Sequence, residues 1–262
     1  MVKPLANRMF WNKTNKLPIT AEDKEWVEEV LLFLKDNFGE EYFLSLETIL
    51  PNKRYYDHTF TGAEEDAEFV LNQTKIYMDV EDDIRLEFFS HSPVEMADGT
   101  LLTTPSNNIN GTWDSATGTY ENDGNTPIIT IERSQLKDMQ SLIATVVYEL
   151  SYHLNLDDGF PAETEETAGC IIELVGIAYG FGIFLGNSRF TFNKYSTPTG
   201  TNWQTYGKGF LPEQIIAYAM AWLCTFRKEE LLWKNMLNTS MLKYFEQSME
   251  YIQKHPDKIR FE

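Results

Sequence analysis

Between Cys170 and Phe184 the chain carries one charged residue, Glu173, in an otherwise apolar run that contains Gly176, Gly180 and Gly182. A helix of that composition is apolar on every side, so it must be surrounded by other elements, and it predicts the centre of a helical core. The stretch is shorter than the ~20 residues that a helix needs to cross a bilayer, so the reading is a core helix and not a membrane span. Glycines at 176, 180, 182 and 186 predict close helix–helix approach. They lie inside the helical run and not at a strand-to-helix turn, which argues against a phosphate-binding loop.

Other elements follow from caps and periodicity. Thr20-Ala-Glu-Asp23 resembles a capping box and opens an amphipathic helix to about Phe38, with Trp26, Val27, Val30, Leu31, Leu34 and Phe38 on one side and Gly39 as its stop. Thr61-Gly-Ala-Glu64 predicts the start of a second helix carrying Val70, Leu71, Tyr77 and Met78. Ile84 to Phe88 alternates like a strand, and Ile128 to Ile131 is a short buried one. The Gly/Asn/Thr/Asp/Ser-rich stretch from Ser90 to Thr126 reads as loops around one hairpin, Thr112 to Tyr120, turning near Thr117-Gly118. Helices are predicted at about 138–156, 164–185, 212–227 and 239–254, with a loop from Asn193 to Gly209. With no internal repeat and no long linker, the expectation is one α+β domain over 1–262, predominantly helical with a small sheet. Its parts are a helical 1–80, strands and loops over 81–135, and a helical 136–262.

Charge narrows the function classes. Asp and Glu number 40 against 22 Lys and Arg, a formal net charge of −18. A nucleic-acid binder must displace counterions from phosphate with cations, so DNA or RNA is excluded as the expected partner, and an anionic membrane surface for the same reason. From Asp138 to Ser188 there is no Lys or Arg at all, against eight acidic residues. Cys170 and Cys224 sit in apolar runs without ligand spacing and read as buried reduced thiols. The N-terminus shows no continuous apolar segment of the secretory kind, which gives a cytoplasmic expectation.

The helix Leu142 to His153 carries the most chemistry. At 100° per residue Ile143, Val146, Val147, Leu150 and Leu154 form an apolar stripe. Tyr148 and Tyr152 lie on the opposite side, and Glu149 and His153 form an i,i+4 pair on a flank. In HExxH metallopeptidases two His one turn apart bind zinc and the intervening Glu acts on the metal-bound water. Here that spacing is present as Tyr148-Glu149-Leu150-Ser151-Tyr152.

Further stretches point the same way: Leu17 to Asp23 with Trp26-Val-Glu-Glu, Tyr55-Tyr56 ahead of Asp57, and Thr61-Gly-Ala-Glu-Glu. They continue with Glu173-Leu174, Tyr179-Gly-Phe-Gly-Ile-Phe184 with Asn187-Ser188, Gly209-Phe-Leu-Pro, and Tyr218-Ala-Met-Ala. With these the chain resembles, over nearly its whole length, a bacterial zincin-like family of the gluzincin type with an HELxH helix. The resemblance implies a zincin-like scaffold in which Glu149 matches the general base and Glu173 the acidic third ligand. Tyr148 and Tyr152 depart from both histidine ligands.

That departure decides the functional expectation. A phenol with a pKa near ~10 is a poor zinc ligand at neutral pH, and one carboxylate cannot hold a catalytic metal. No pair among His58, His91, His153 and His255 has ligand spacing. The expectation is therefore a catalytically inactive zincin-like protein with no metal and no cofactor, in which Glu149 is vestigial. Tyr148 and Tyr152 then either fill the space of a metal site or hydrogen-bond Glu173 or a ligand. Such a protein would act by binding a basic protein partner, as an immunity protein or antitoxin binds a toxin, through Asp157, Asp158, Glu163, Glu165 and Glu166. The alternatives are a metallohydrolase with displaced ligands at Glu149, His153 and Glu173, and a non-enzymatic structural adaptor.

Overall fold

The computed structural model describes residues 16–90, 94–95, 101–102, 118–121, 126–154, 164–188, 190–197, 200–207 and 209–262. Helix α1 spans Ala21–Phe38. The Thr20 hydroxyl accepts the Asp23 N–H at 3.1 Å while the Asp23 carboxylate reaches back to Thr20, so the box forms as predicted. Gly39, at φ 82°, ends it and a short α2 follows over Glu40–Ser45. Helix α3 covers Glu64–Tyr77. Its start differs in detail from the Thr61…Glu64 box. Asp66, further along the chain, gathers the N–H groups of Thr61, Gly62 and Ala63 and bonds His58 Nε2 at 2.6 Å. Those four bonds outweigh the cost of burying Asp66 and hold its carboxyl down at about 2.

The central sheet has the order β1–β5–β4. Strand β1 (Arg85–Phe89) runs parallel to β5 (Ile128–Glu132), and β4 (Gly118–Glu121) runs antiparallel to β5 on the other side. Two short strands, β2 (Val94–Glu95) and β3 (Leu101–Leu102), pair with each other. Gly118, expected near a hairpin turn, instead lies in a strand opposite Ile131, and the expected first arm from Thr112 lies outside the described residues.

Helix α4 spans Met139–Leu154 and lies against β4, β5 and α3, with Ile143, Val146, Val147 and Leu150 fully buried. The apolar run becomes α5 (Glu165–Gly176), a π-turn at Ile177–Phe181 and α6 (Gly182–Asn187). Gly180 breaks it at φ 97°, and its carbonyl accepts the Ile49 N–H at 3.0 Å. Gly176, Gly182 and Gly186 give the predicted close approaches, to Val147, Met220 and Met241. The helical run Thr167–Asn187 is longer than the apolar stretch read from sequence. By length and composition alone its 21 residues match a span, which corrects the reading that the segment is too short, and 89% of its most apolar window is buried inside the protein.

A second correction concerns Asn193 to Gly209. This segment is no loop: β6 (Phe190–Thr197) and β7 (Gly200–Gly207) pair antiparallel from Phe190↔Gly207 to Thr197↔Gly200. Alternating Phe, Tyr, Trp and Thr in both arms favour extended chain, and their strand propensity outweighs the Gly and Asn that suggested a loop. Helices α7 (Glu213–Arg227) and α8 (Thr239–Lys254) close the core, which draws on every helix from α1 to α8. The result is an α+β fold, predominantly helical with a small sheet. Between α1 and α7 the fully buried Glu28 binds the Lys24 ammonium at 2.7 Å and the Tyr218 hydroxyl at 2.6 Å.

Candidate functional site

The exposed flank of α4, the loop before α7 and the edge strand β4 meet around Tyr148, Glu149 and Tyr152. Glu149 points beneath β4, where a Cβ placed on Gly118 would come within 2.9 Å of its Oε1 and 2.8 Å of the Thr145 methyl. Only glycine lets the strand backbone lie this close to the helix. Glu149 is 6% exposed, and burial is the one influence that acts on its carboxyl. Burial disfavours the charged form, which raises its pKa to about 8 and keeps the carboxyl largely protonated at neutral pH.

Glu173, on α5, is also buried but has donors. Its Oε1 accepts the Phe210 N–H at 2.9 Å and its Oε2 the Leu211 N–H at 2.7 Å. These amides precede the α7 N-cap, Pro212, and have no helical partner of their own. Held there, the Phe210 ring covers Gly169, where a Cβ would strike it at 2.5 Å, and stacks on Tyr148 with centroids 6.0 Å apart and planes 17° apart. Burial and the nearby carboxylates of Glu149 and Glu173 push the Tyr148 hydroxyl above its ordinary pKa.

Tyr152, one turn further on, is 39% exposed and lies 5.5 Å from the Tyr120 ring of β4. Tyr148 therefore packs under Phe210 as a space-filling residue would, whereas Tyr152 stands at the surface. His153 does not pair with Glu149. Its Nδ1 meets the Tyr120 hydroxyl at 2.7 Å and its Nε2 meets Asp82 at 3.1 Å, which turns the imidazole away from both glutamates.

The residues present do not suit a zinc ion. Two phenols, one of them with a raised pKa, stand where the resemblance implies histidines, and both oxygens of Glu173 accept backbone amides. The displaced set of Glu149, His153 and Glu173 fares no better, and among the described residues no group of three or more His, Cys, Asp or Glu is arranged to hold a metal. Both cysteines are free thiols, Cys224 buried and Cys170 half-buried.

Of the acidic turn, Asp157, Asp158 and Glu163 lie outside the described residues, and Glu165 and Glu166 open α5. Sequence reasoning missed Gly118, Tyr120, Asp82 and the role of Phe210. One signal was available for Phe210: a glutamate in a cation-free segment must find N–H donors, and chain ends before a helix have spare ones. Comparison with protein-family models, with curated proteins and with solved structures finds no match to this chain.

Proposed function

We propose that this chain is a zincin-like protein without hydrolytic activity that acts by binding a basic protein partner, and that neutralising a basic toxin, in the manner of an immunity protein, is the role that fits it best. The observation that carries the reading is Glu173 bound to the amides of Phe210 and Leu211. The carboxylate that the family resemblance assigns to a metal serves instead to fasten a loop over Tyr148. A net charge of −18 supports a cationic partner, because complementary fields speed encounter and suppress wrong partners.

The test has two arms on one preparation. After dialysis the protein should hold well under one zinc per chain and show no chelator-sensitive peptide hydrolysis. The immobilised chain should retain a basic protein from its native organism, with association slowed by salt and dissociation changing less. Stoichiometric zinc together with chelator-sensitive hydrolysis overturns the reading.

A further inference from the structure

We infer that the aromatic strip Phe210–Tyr148–Tyr152–Tyr120 is a docking surface for arginine side chains of that basic partner. The inference rests on the partner-binding reading and names the face and the chemistry. The rings form two close pairs, Phe210 on Tyr148 at 6.0 Å and Tyr120 beside Tyr152 at 5.5 Å, joined through one turn of α4. Phe210 and Tyr152, both exposed, belong to this strip. Exposed aromatic area gathered in one place marks an interaction surface more than scattered aliphatic residues do.

Three features select a guanidinium as the occupant. Ring faces carry negative potential and attract cations, most strongly where water is partly excluded. Glu173 lies close enough to raise the Tyr148 pKa through its charge, within a segment that has no Lys or Arg from Asp138 to Ser188. A phenol oxygen accepts from N–H donors, as the Tyr148 and Tyr152 hydroxyls can at this surface. A planar guanidinium stacks on a ring and donates sideways at once, whereas an ammonium is more tightly hydrated and has no plane to stack. Elsewhere in the molecule the chain uses this pairing itself, with Arg227 over Phe43 at 4.8 Å and Arg54 over Tyr55 at 5.0 Å.

The test titrates the full chain with a tetra-arginine peptide at low salt, using tetra-lysine and tetra-alanine as comparisons, and follows tyrosine ring resonances. Tetra-arginine should bind several-fold more tightly than tetra-lysine and shift the Tyr152 and Tyr148 rings. Tyr152→Leu keeps apolar bulk but removes both the ring and the hydroxyl acceptor and should weaken tetra-arginine binding roughly three-fold, while Tyr152→Phe, which keeps the ring and loses only the acceptor, should weaken it less. Phe210→Leu should act like Tyr152→Leu, since the Glu173 bonds go to backbone. Because Tyr152 is exposed, its variants should keep the wild-type urea midpoint. Equal binding of the two cationic peptides, or undiminished binding by Tyr152→Leu, overturns the inference and assigns the attraction to diffuse charge. A captured protein partner that Tyr152→Leu and Phe210→Leu bind at wild-type strength overturns the inference while leaving the partner-binding reading in place.

Discussion

Glu173 and Leu211 lie 38 positions apart in sequence, and the Leu211 N–H donates to Glu173 Oε2 at 2.7 Å. With the Phe210 amide on the other oxygen, one buried carboxylate anchors the entry to α7. Hydrogen bonds to a charged group are worth roughly 1.5–3 kcal/mol each. Glu173→Ala should therefore lower stability by about 3 kcal/mol, and Glu173→Gln, which keeps one acceptor oxygen, by about half as much. Urea unfolding of the three proteins checks this, and equal midpoints would show that the loop holds without the carboxylate.

Glu149 gives stability a pH dependence of definite sign. In the folded protein its carboxyl stays protonated up to about pH 8, against an ordinary value of 4.5. The unfolded chain releases that proton near pH 4.5, so rising pH favours unfolding. The contribution is fully present below pH 4.5 and lost between there and about pH 8, on the order of 5 kcal/mol in all. Urea midpoints measured from pH 4 to 9 should fall more steeply for the wild type than for Glu149→Gln. Parallel profiles would mean that water or a donor already satisfies the carboxylate.

The buried set Lys24, Glu28 and Tyr218 ties α1 to α7 and should respond asymmetrically. Tyr218→Phe removes one hydrogen bond and should cost about 1–2 kcal/mol. Lys24→Met leaves a carboxylate buried without its cation and should cost about 3–5 kcal/mol. Adding Glu28→Leu to Lys24→Met should recover most of that loss, because the stranded charge is gone. A double variant as unstable as Lys24→Met alone would sink this account.

At Gly180 the backbone itself forbids a side chain. A Cβ there would lie 2.1 Å from the Glu47 carbonyl oxygen, at φ 97°. Gly180→Ala should cost at least ~3 kcal/mol or prevent folding. Gly182→Ala meets only the flexible Met220 side chain, at 2.6 Å, and should cost roughly 1–2 kcal/mol. Thermal melts of the two variants rank them directly.

Much of the helical framework was legible because helices announce themselves locally. Thr20 with Asp23, Gly39 after Phe38, and the apolar spacing of α4, α7 and α8 each act within a few residues. The β6–β7 hairpin was missed because strand preference depends on cross-strand partners, here Lys194 opposite Trp203 and Phe192 opposite Thr205, which no local window shows. The spacing Tyr148-Glu149-Leu150-Ser151-Tyr152 could be read directly. What closes over Tyr148 could not: Phe210 comes from 62 positions beyond it, and the pairing of His153 with Asp82 spans 71. Nothing in the spacing of α4 told whether His153 would turn toward Glu149 or toward β4.

The bond from Ile49 N–H to the Gly180 carbonyl also sets a clock. Ile49 lies in a segment without regular secondary structure, whose amides would ordinarily trade protons with solvent quickly. Its partner is the bend in a helical run whose most apolar window is 89% buried, so the amide is released only when that run opens. In deuterated water Ile49 should keep its proton about as long as the amides of α5 and α7, reporting the opening free energy of the whole core from a position that looks like a loop.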